Sequence, residues 1–238
     1  MSKKIIFTSG IFMIMFSLFL SSCMDCMEGN GKMAKRTAKF TEITAINLSV
    51  SADVKLFDDS SGIVTIEGES NIIEAIILEQ TGAKLRITSE PCFSSNRPVT
   101  ITIPMKLVTD LQINGSGSIK SERKMGASDL ELGINGSGDI DLEVEAANVH
   151  SNINGSGNII LKGTAQRHKI EVNGSGNLEA ENFPTGNVAI TVNGSGDCKV
   201  LATTDLAIKI RGSGNVYYAG TPDISSDIKG SGSLEKLK

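Results

Sequence analysis

The sequence predicts an all-β protein, a parallel β-helix or solenoid whose coils are about 19 residues long. Three observations predict this fold. The tetrapeptide x-Gly-Ser-Gly occurs seven times at intervals of 18 to 21 residues, the residue before it is always β-branched, and apolar residues alternate with polar ones on both sides of it. A repeat of nearly constant length, with a short strand on each side of a glycine-containing corner, is typical of coils that stack on one another.

The x-Gly-Ser-Gly corners are the most regular element of the sequence. Two glycines in each copy indicate positive φ angles or a close approach between backbones, and the serine can hydrogen-bond the turn locally. Five copies begin with Asn, whose side-chain amides can form a ladder between stacked coils, whereas Arg211 and Lys229 begin the last two. The predicted structural turn residues are Asn114, Gly115, Ser116, Gly117, Asn135, Gly136, Ser137, Gly138, Asn154, Gly155, Ser156, Gly157, Asn173, Gly174, Ser175, Gly176, Asn193, Gly194, Ser195, Gly196, Gly212, Ser213, Gly214, Gly230, Ser231 and Gly232.

Two apolar columns flank the corners and are predicted to face the core, because each belongs to a strand that alternates apolar and polar residues. The column before the corner contains Ile113, Ile134, Ile153, Val172, Val192, Ile210 and Ile228. The column after it contains Ile119, Ile140, Ile159, Leu178, Cys198, Val216 and Leu234. Each corner is followed directly by a small polar residue that we interpret as part of the turn, namely Ser118, Asp139, Asn158, Asn177, Asp197, Asn215 or Ser233.

An antiparallel β meander or sandwich is the alternative fold. Asn-Gly is a strong signal for a two-residue hairpin turn, and five of the corners contain it. Stacked coils account for the near-constant repeat length and the uniform columns, whereas hairpins tolerate variation in both. The solenoid is therefore favoured, and the meander remains open.

The first residues are typical of a bacterial lipoprotein signal peptide, which we assign to residues 1–22. Lys3 and Lys4 precede an apolar run, and small residues stand directly before Cys23. In such a motif the cysteine sulfur is lipidated before cleavage, so we expect an exported protein that reaches the cell envelope, on the outer membrane, and contacts the membrane through this lipid. Two or three acyl chains make such an anchor effectively permanent. Residues 23–39 lack a clear periodicity and are predicted to be a flexible tether.

Residues 40–110 are predicted to form N-terminal β coils or a capping sheet, continuous with the x-Gly-Ser-Gly repeats of residues 111–238. They lack the tetrapeptide but alternate in the same way. Residues 71–78, with isoleucines at helical spacing, are predicted to form a short helix or an irregular turn. Terminal units of a solenoid are usually atypical.

The net charge of the chain and the number of its cysteines limit which partners and which cysteine chemistry we expect. Loss of Lys3 and Lys4 with the signal peptide takes the formal net charge from −4 to −6, which argues against nucleic acid as a partner. After lipidation of Cys23 three cysteines remain, an odd number at wide spacing that does not predict a disulfide framework. Cys198 stands in an apolar column, so we expect a buried thiol that acts as a small hydrophobic residue.

The sequence predicts no catalytic residue, no metal site and no cofactor. Glycoside hydrolysis needs two carboxyl groups within about 5–10 Å of each other, and Asp139 with Asp141 is the one tight candidate, although Asp139 stands in the turn column. Calcium-binding glycine-rich repeats carry an Asp in each turn, whereas here only Asp139 and Asp197 occupy that position. His150 and His168 lie four and five residues before their corners, so the pleat should direct them to opposite faces.

The segment Gly133-Ile134-Asn135-Gly136-Ser137-Gly138 and the other copies, together with Val99-Thr100-Ile101-Thr102-Ile103-Pro104 and the lipoprotein signal, resemble the family described as "putative auto-transporter adhesin, head GIN domain". The resemblance covers about residues 40–238. It implies a β-helical fold and a lipoprotein of the Bacteroidota type, and it brings no catalytic residues.

The predicted function is that of a lipid-anchored cell-envelope β-solenoid, an adhesin or scaffolding module that binds protein or glycan without catalysis. A polysaccharide-active β-helix enzyme and a purely structural envelope protein are the alternatives. The chain has no Trp and two Tyr, which leaves few aromatic rings to stack on sugars. A protein ligand is therefore favoured over a glycan.

Overall fold

A computed structural model describes residues 26–237 of the protein. The predicted signal peptide and the predicted lipidation site Cys23 lie outside the described residues. Over the described range the protein consists almost entirely of β-strands and has one short helix, α1 (Ser70–Ala75). No helix in that range is long and apolar enough to cross a bilayer.

Nineteen strands follow one another along residues 26–237. They are β1 (Met27–Glu28), β2 (Met33–Lys39), β3 (Ala45–Leu48), β4 (Asp53–Phe57), β5 (Ile63–Glu69), β6 (Ile76–Thr81), β7 (Lys84–Ser89), β8 (Phe93–Ser94), β9 (Thr100–Pro104), β10 (Asp110–Gly115), β11 (Ser118–Ser121), β12 (Met125–Gly136), β13 (Asp139–Gly155), β14 (Asn158–Gly174), β15 (Asn177–Gly194), β16 (Cys198–Gly212), β17 (Val216–Ala219), β18 (Asp223–Gly230) and β19 (Leu234–Lys236).

From β10 to β19 the chain forms parallel coils that stack in register. Asn154 lies opposite Asn135 of the preceding coil and opposite Asn173 of the following one. All of the pairings between these strands are parallel. The predicted parallel β-solenoid is confirmed, and the antiparallel meander is wrong for the repeats.

The inward-facing side chains form one continuous core. In both predicted apolar columns the first six residues are fully buried, from Ile113 to Ile210 in one and from Ile119 to Val216 in the other. Full burial of a side chain of this size contributes roughly 1.5–3 kcal/mol relative to exposure. The seventh members lie in the last coil, where Ile228 is 37% exposed.

The N-terminal region contains both of the structures predicted for residues 40–110. β3 and β4 continue the parallel coils, since they pair with β10 and β11 on one side and with β7 and β9 on the other. Beyond them β2 and β5, and likewise β6 and β7, pair antiparallel. The buried Ile72 and Ile73 belong to α1, so this end of the stack is covered.

The flexible tether predicted over residues 23–39 is not what the structure shows for residues 27–39. β1 pairs with β8, and β2 pairs with β5 along seven residues. The alternation in β2 was missed because its partly buried positions hold Ala34, Arg36 and Ala38 instead of large apolar residues. Arg36 is anchored by a 2.6 Å hydrogen bond from its guanidinium to the carbonyl oxygen of Ile76.

Contrary to the expectation from the odd number of cysteines, Cys26 and Cys92 form a disulfide across 66 residues. The odd number of cysteines gave no sign of this pair, since it leaves one thiol, Cys198, buried in the core. β1 and β8 bring Cys26 and Cys92 together, with 4.8 Å between their Cα atoms. The chain is therefore fastened to the N-terminal end of the stack from its first described residue.

Candidate functional site

Each corner depends on two glycines that are constrained in different ways. The first glycine of every copy has a φ between +131° and +143°, a conformation that favours glycine. The second approaches the coil below, so that a Cβ on Gly157 would lie 2.2 Å from the carbonyl oxygen of Gly138. Backbone hydrogen bonds such as that from Ser156 N to Gly136 O, at 2.8 Å, join successive corners. Identical corners can therefore stack at the spacing of a β-sheet.

A ladder of Asn side chains runs along the outside of the stacked corners. The Nδ2 atom of each Asn donates to the Oδ1 atom of the Asn one coil below, at 2.8–3.0 Å. We call this row the corner ladder, and its members are Asn47, Asn114, Asn135, Asn154, Asn173 and Asn193. The five Asn from the repeats are exposed to solvent. Every step of the row therefore presents a polar amide in a fixed orientation.

Asn47 is the member that the sequence pattern did not reveal. Its coil has no x-Gly-Ser-Gly corner, and the backbone of Asn47 is in register with Gln112 and not with Asn114. Its side chain nevertheless accepts the hydrogen bond from Asn114 at 2.8 Å. At the other end of the row Arg211 and Lys229 replace Asn, so the ladder ends at Asn193.

A second polar row lies on the other side of the corner. Asn158 Nδ2 donates to Asp139 Oδ1 at 2.8 Å, and Asn177 Nδ2 donates to Asn158 Oδ1 at 3.1 Å. The row continues through Asp197 and Asn215 to Ser233. The small polar residue after each corner thus bonds its counterparts between coils, which goes beyond the turn role expected for it.

The two candidate catalytic carboxylates are both engaged by neighbouring coils. Asp141 forms ion pairs with Lys120 at 3.0 Å and Lys162 at 3.9 Å. Asp139 accepts hydrogen bonds from the backbone and side chain of Asn158. These partners give both carboxylates a role in joining successive coils.

The two histidines point to opposite faces, as their spacing predicted. His168 is 2% exposed and its Nε2 lies 2.9 Å from Ser151 Oγ within the core. Desolvation, with a smaller contribution from His150, lowers the pKa of His168 to about 3. His150 lies on the outer face with its Nδ1 atom 2.9 Å from a carboxylate oxygen of Glu131. The buried Ser–His pair lies in the core, where a substrate has no access.

The free thiol lies in the core as expected. Burial, together with the nearby Asp197 carboxylate, raises the pKa of Cys198 to about 12. The reactive thiolate form is therefore suppressed at neutral pH. Among residues 26–237 no three His, Cys, Asp or Glu side chains are grouped in a way that could hold a metal ion.

Glu69 joins two segments of the N-terminal end, and the sequence pattern did not identify it as a structural residue. Its carboxylate accepts a hydrogen bond from Ser95 Oγ at 2.6 Å and one from Gly31 N at 2.5 Å. These two hydrogen bonds hold the pKa of Glu69 below its usual range. The segment after Cys26 and the loop after Cys92 are thus held together by this carboxylate as well as by the disulfide.

The fold and the corner ladder define a β-solenoid with a repeated, outward-facing polar edge. The protein belongs to the family described as "Putative auto-transporter adhesin, head GIN domain", whose model matches residues 39–222. No match was found among curated proteins.

Solved structures with the same fold come from Bacteroidota. A putative adhesin from Bacteroides fragilis has a TM-score of 0.82 and 24% identity, with 89% of this chain and 100% of that chain covered. A putative lipid binding protein from Parabacteroides distasonis has a TM-score of 0.73 and 26% identity over 89% and 99% of the two chains. A putative adhesin from Parabacteroides merdae has a TM-score of 0.71 and 18% identity over 90% and 100%. The family description, together with the two neighbours named as adhesins, indicates an adhesin-like protein of the cell surface or envelope, and neither names an enzyme.

Proposed function

We propose that the protein is a lipid-anchored module of the cell envelope that binds a protein or glycan ligand without catalysis. The observation that carries this proposal is the exposed corner ladder. Each Asn in its middle uses one amide hydrogen and one acceptor site of Oδ1 within the row, while an amide has two donors and can accept twice. One acceptor site per coil therefore remains for a ligand, repeated about every 4.8 Å. Asn135 and Asn173 also keep one amide hydrogen for a ligand, whereas Asn154 donates its second amide hydrogen to Asn152 Oδ1 at 2.7 Å.

The ladder suits an extended ligand better than a small molecule. Its side chains are held by their neighbours above and below, so little conformational entropy is lost when a partner binds. It also runs along the exposed corners of the coils. Small-molecule sites are usually concave and enclose most of their ligand.

The lipid anchor is proposed at Cys23. The nearby disulfide determines which end of the stack this anchor would hold next to the membrane. Three residue steps separate Cys23 from Cys26, a reach of about 10 Å for an extended chain. Because Cys26 is bonded to Cys92 at the covered end of the stack, that end would lie next to the membrane. The last coil would then lie farthest from the bilayer, roughly 35 Å away if the coils stand upright on the membrane.

Capture of a free lipid, which the name of the Parabacteroides distasonis protein suggests for that protein, is less well supported here. A hollow whose lining includes Phe40, Ile43, Pro104 and Leu107 has a volume of about 160 Å³. Ligand pockets usually measure about 300–1,000 Å³. We therefore assign the membrane contact to the covalent lipid.

The anchor is tested by metabolic labelling with an alkyne fatty acid in a bacterium that processes lipoproteins. We expect the wild-type chain to be labelled and the Cys23→Ser variant to be unlabelled, with protease treatment of intact cells reporting which side of the membrane the domain faces. Equal labelling of both chains would rule out this anchor.

The ligand is tested by an array of extracellular proteins and glycans probed with the chain from residue 23 onward carrying Cys23→Ser. A specific signal should be weakened by the triple substitution Asn135→Ala, Asn154→Ala and Asn173→Ala. It should be unchanged by Glu143→Ala, since Glu143 is exposed on the other side of the corner. A signal that survives the triple substitution would show that the corner ladder is not the binding surface.

A further inference from the structure

The C-terminal end of the stack is an open sheet edge. β18 pairs with β16 along all eight of its residues, and each of those eight residues is exposed. Ile224 and Ile228 lie in register with the buried Leu206 and Ile210, yet they are 42% and 37% exposed. In the described part of the chain nothing covers these two inward-facing side chains, whereas the N-terminal end is covered by antiparallel strands and α1.

The sequence of β18 is complementary to itself when two copies run antiparallel. With Ser226 opposite Ser226 of a second copy, Ile224 faces Ile228 and the two pairs of isoleucines extend both cores across the junction. On the outer face Asp223 then lies opposite Lys229, twice by symmetry. Opposite charges and apolar pairs that face each other directly across two strands are stabilising.

Charge favours this alignment of the two strands over the alignments shifted by two residues. Moving one copy by two residues keeps the isoleucines on the core side, but it brings Asp227 opposite Asp227 in one direction. In the other direction it brings Asp223 opposite Asp227 twice. Like charges that face each other directly are destabilising, so the two shifted alignments are disfavoured.

We propose that β18 is a docking surface for a second copy of this chain, which binds antiparallel with Ser226 at its centre. The interface is isologous, because the same strand contributes both sides of a two-fold arrangement. It is confined to β18. β19 is three residues long and carries Glu235 and Lys236, and charged residues on a short edge strand oppose pairing.

The arrangement has a consequence that rests on the proposed lipid anchor. Cys26 lies at the opposite end of the stack from β18, so a pair joined through β18 has its two Cys23 anchors at its two far ends. Two copies in one membrane cannot easily adopt this geometry, whereas copies in two apposed membranes can. The pairing would therefore join two envelopes, which is an adhesive function with the same protein on both sides.

Charge reversal at positions 223 and 229 tests the pairing, and the fold should tolerate both changes. Asp223 lies opposite Asp205 within the chain, and Lys229 lies opposite Arg211. Asp223→Lys and Lys229→Asp each place an opposite charge across from these like-charge neighbours. Lys229→Asp also removes the exposed 3.8 Å ion pair between Lys229 and Asp227, and exposed pairs of this kind contribute little to stability. Sedimentation velocity over a concentration series would be measured on the chain from residue 23 onward with Cys23→Ser, and Glu143→Lys is the control for a charge reversal away from β18.

We expect a concentration-dependent dimer for the wild type and for Glu143→Lys. Each single reversal at position 223 or 229 should raise the dissociation constant roughly 10- to 30-fold, because two attractive cross-strand pairs become repulsive. An equimolar mixture of the two reversed chains should associate again, since each new charge then faces its opposite on the partner. A wild type that stays monomeric, or single reversals that leave its dissociation constant unchanged, would overturn the proposal.

The membrane arrangement has its own readout. Phosphatidylcholine vesicles with a maleimide lipid would be coupled to Cys23 of the chain that begins at that residue, because Cys198 is buried and Cys26 and Cys92 are oxidised. We expect wild-type vesicles to cluster, vesicles with either reversal to stay apart, and a mixture of the two to cluster. Dimers in solution without clustering would overturn the joining of two membranes. Because the lipid is supplied chemically, neither result depends on lipidation in cells or on a ligand of the corner ladder.

Discussion

Asn154 donates a hydrogen bond from Nδ2 to Oδ1 of Asn135, 3.0 Å away in the coil below. Its own Oδ1 accepts from Asn173 at the same distance. Asn154→Ala removes both of these hydrogen bonds and a third one, from Nδ2 to Asn152 Oδ1 at 2.7 Å. It should lower the free energy of unfolding by about 1–3 kcal/mol, because a hydrogen bond contributes about 0.5–1.5 kcal/mol. Urea denaturation measures the change. Ser156→Ala, at an exposed corner position of the same coil, should change it by less than about 0.5 kcal/mol; equal losses would contradict a stabilising role for the ladder.

The second glycine of a corner should tolerate no side chain. A Cβ at Gly157 would lie 2.2 Å from a carbonyl oxygen and 2.7 Å from the side chain of Ile134, so Gly157→Ala forces two coils apart. Overpacking of this kind costs about 1–3 kcal/mol or more. Gly126→Ala is the matched control, since no atom lies within 4 Å of its Cβ position and its φ is not in the left-handed region. Thermal unfolding should separate the two variants clearly, and similar melting temperatures would be evidence against close contact at the corner.

These two sites also show how far the sequence predicts the structure. The repeated corners and columns carry the same chemistry in seven copies, so one correct alignment places the core, the glycines and most of the corner ladder. Asn47 was not predicted as a member of the ladder, because its backbone is in register with Gln112 and not with Asn114. The sequence also did not predict three features of the N-terminal end, namely β2, the Cys26–Cys92 disulfide and the contacts of the Glu69 carboxylate. Each of them occurs once and depends on chain segments that lie far apart in sequence. The structure of the repeats could be predicted because seven copies can be aligned with one another. The N-terminal end occurs once, so no alignment of copies could reveal its contacts.

Acid should destabilise the protein through His168. Its pKa is about 3 in the folded protein and about 6.5 in an unfolded chain, so between these values the unfolded state binds more protons. Stability therefore falls as the pH drops from about 6.5 towards 3, by up to about 1.4 kcal/mol per pH unit. Urea denaturation at several pH values should show a steeper decline for the wild type than for His168→Leu. Carboxylates titrate in both proteins, so parallel profiles would mean that His168 is not buried in neutral form.

The Cys198 thiol should be protected as long as the protein is folded. Its pKa of about 12 and its burial predict that an aromatic disulfide reagent modifies it at neutral pH only when the coils open. In the chain from residue 23 onward carrying Cys23→Ser, we expect slow labelling in buffer and rapid labelling of one thiol in denaturant. Cys198→Val keeps an apolar residue in the column and should abolish the slow reaction. Rapid labelling of the native wild type would contradict the burial of this column.

The disulfide should stabilise the N-terminal end and fix its position next to the proposed anchor. Closing a loop of 66 residues restricts the unfolded chain enough to contribute about 4 kcal/mol, if strain and residual structure are small. The double substitution Cys26→Ala and Cys92→Ala should lower stability by an amount of this order in the absence of reductant.

Because Glu69 still binds Gly31 and Ser95 in this double variant, the segment from residue 29 onward should stay in place while residues before it loosen. Hydrogen exchange can resolve this difference: amides of β1 should lose protection, and those of β13 to β15 should keep it. Loss of protection throughout the solenoid would instead mean that the N-terminal cap and the coils fold as one inseparable unit.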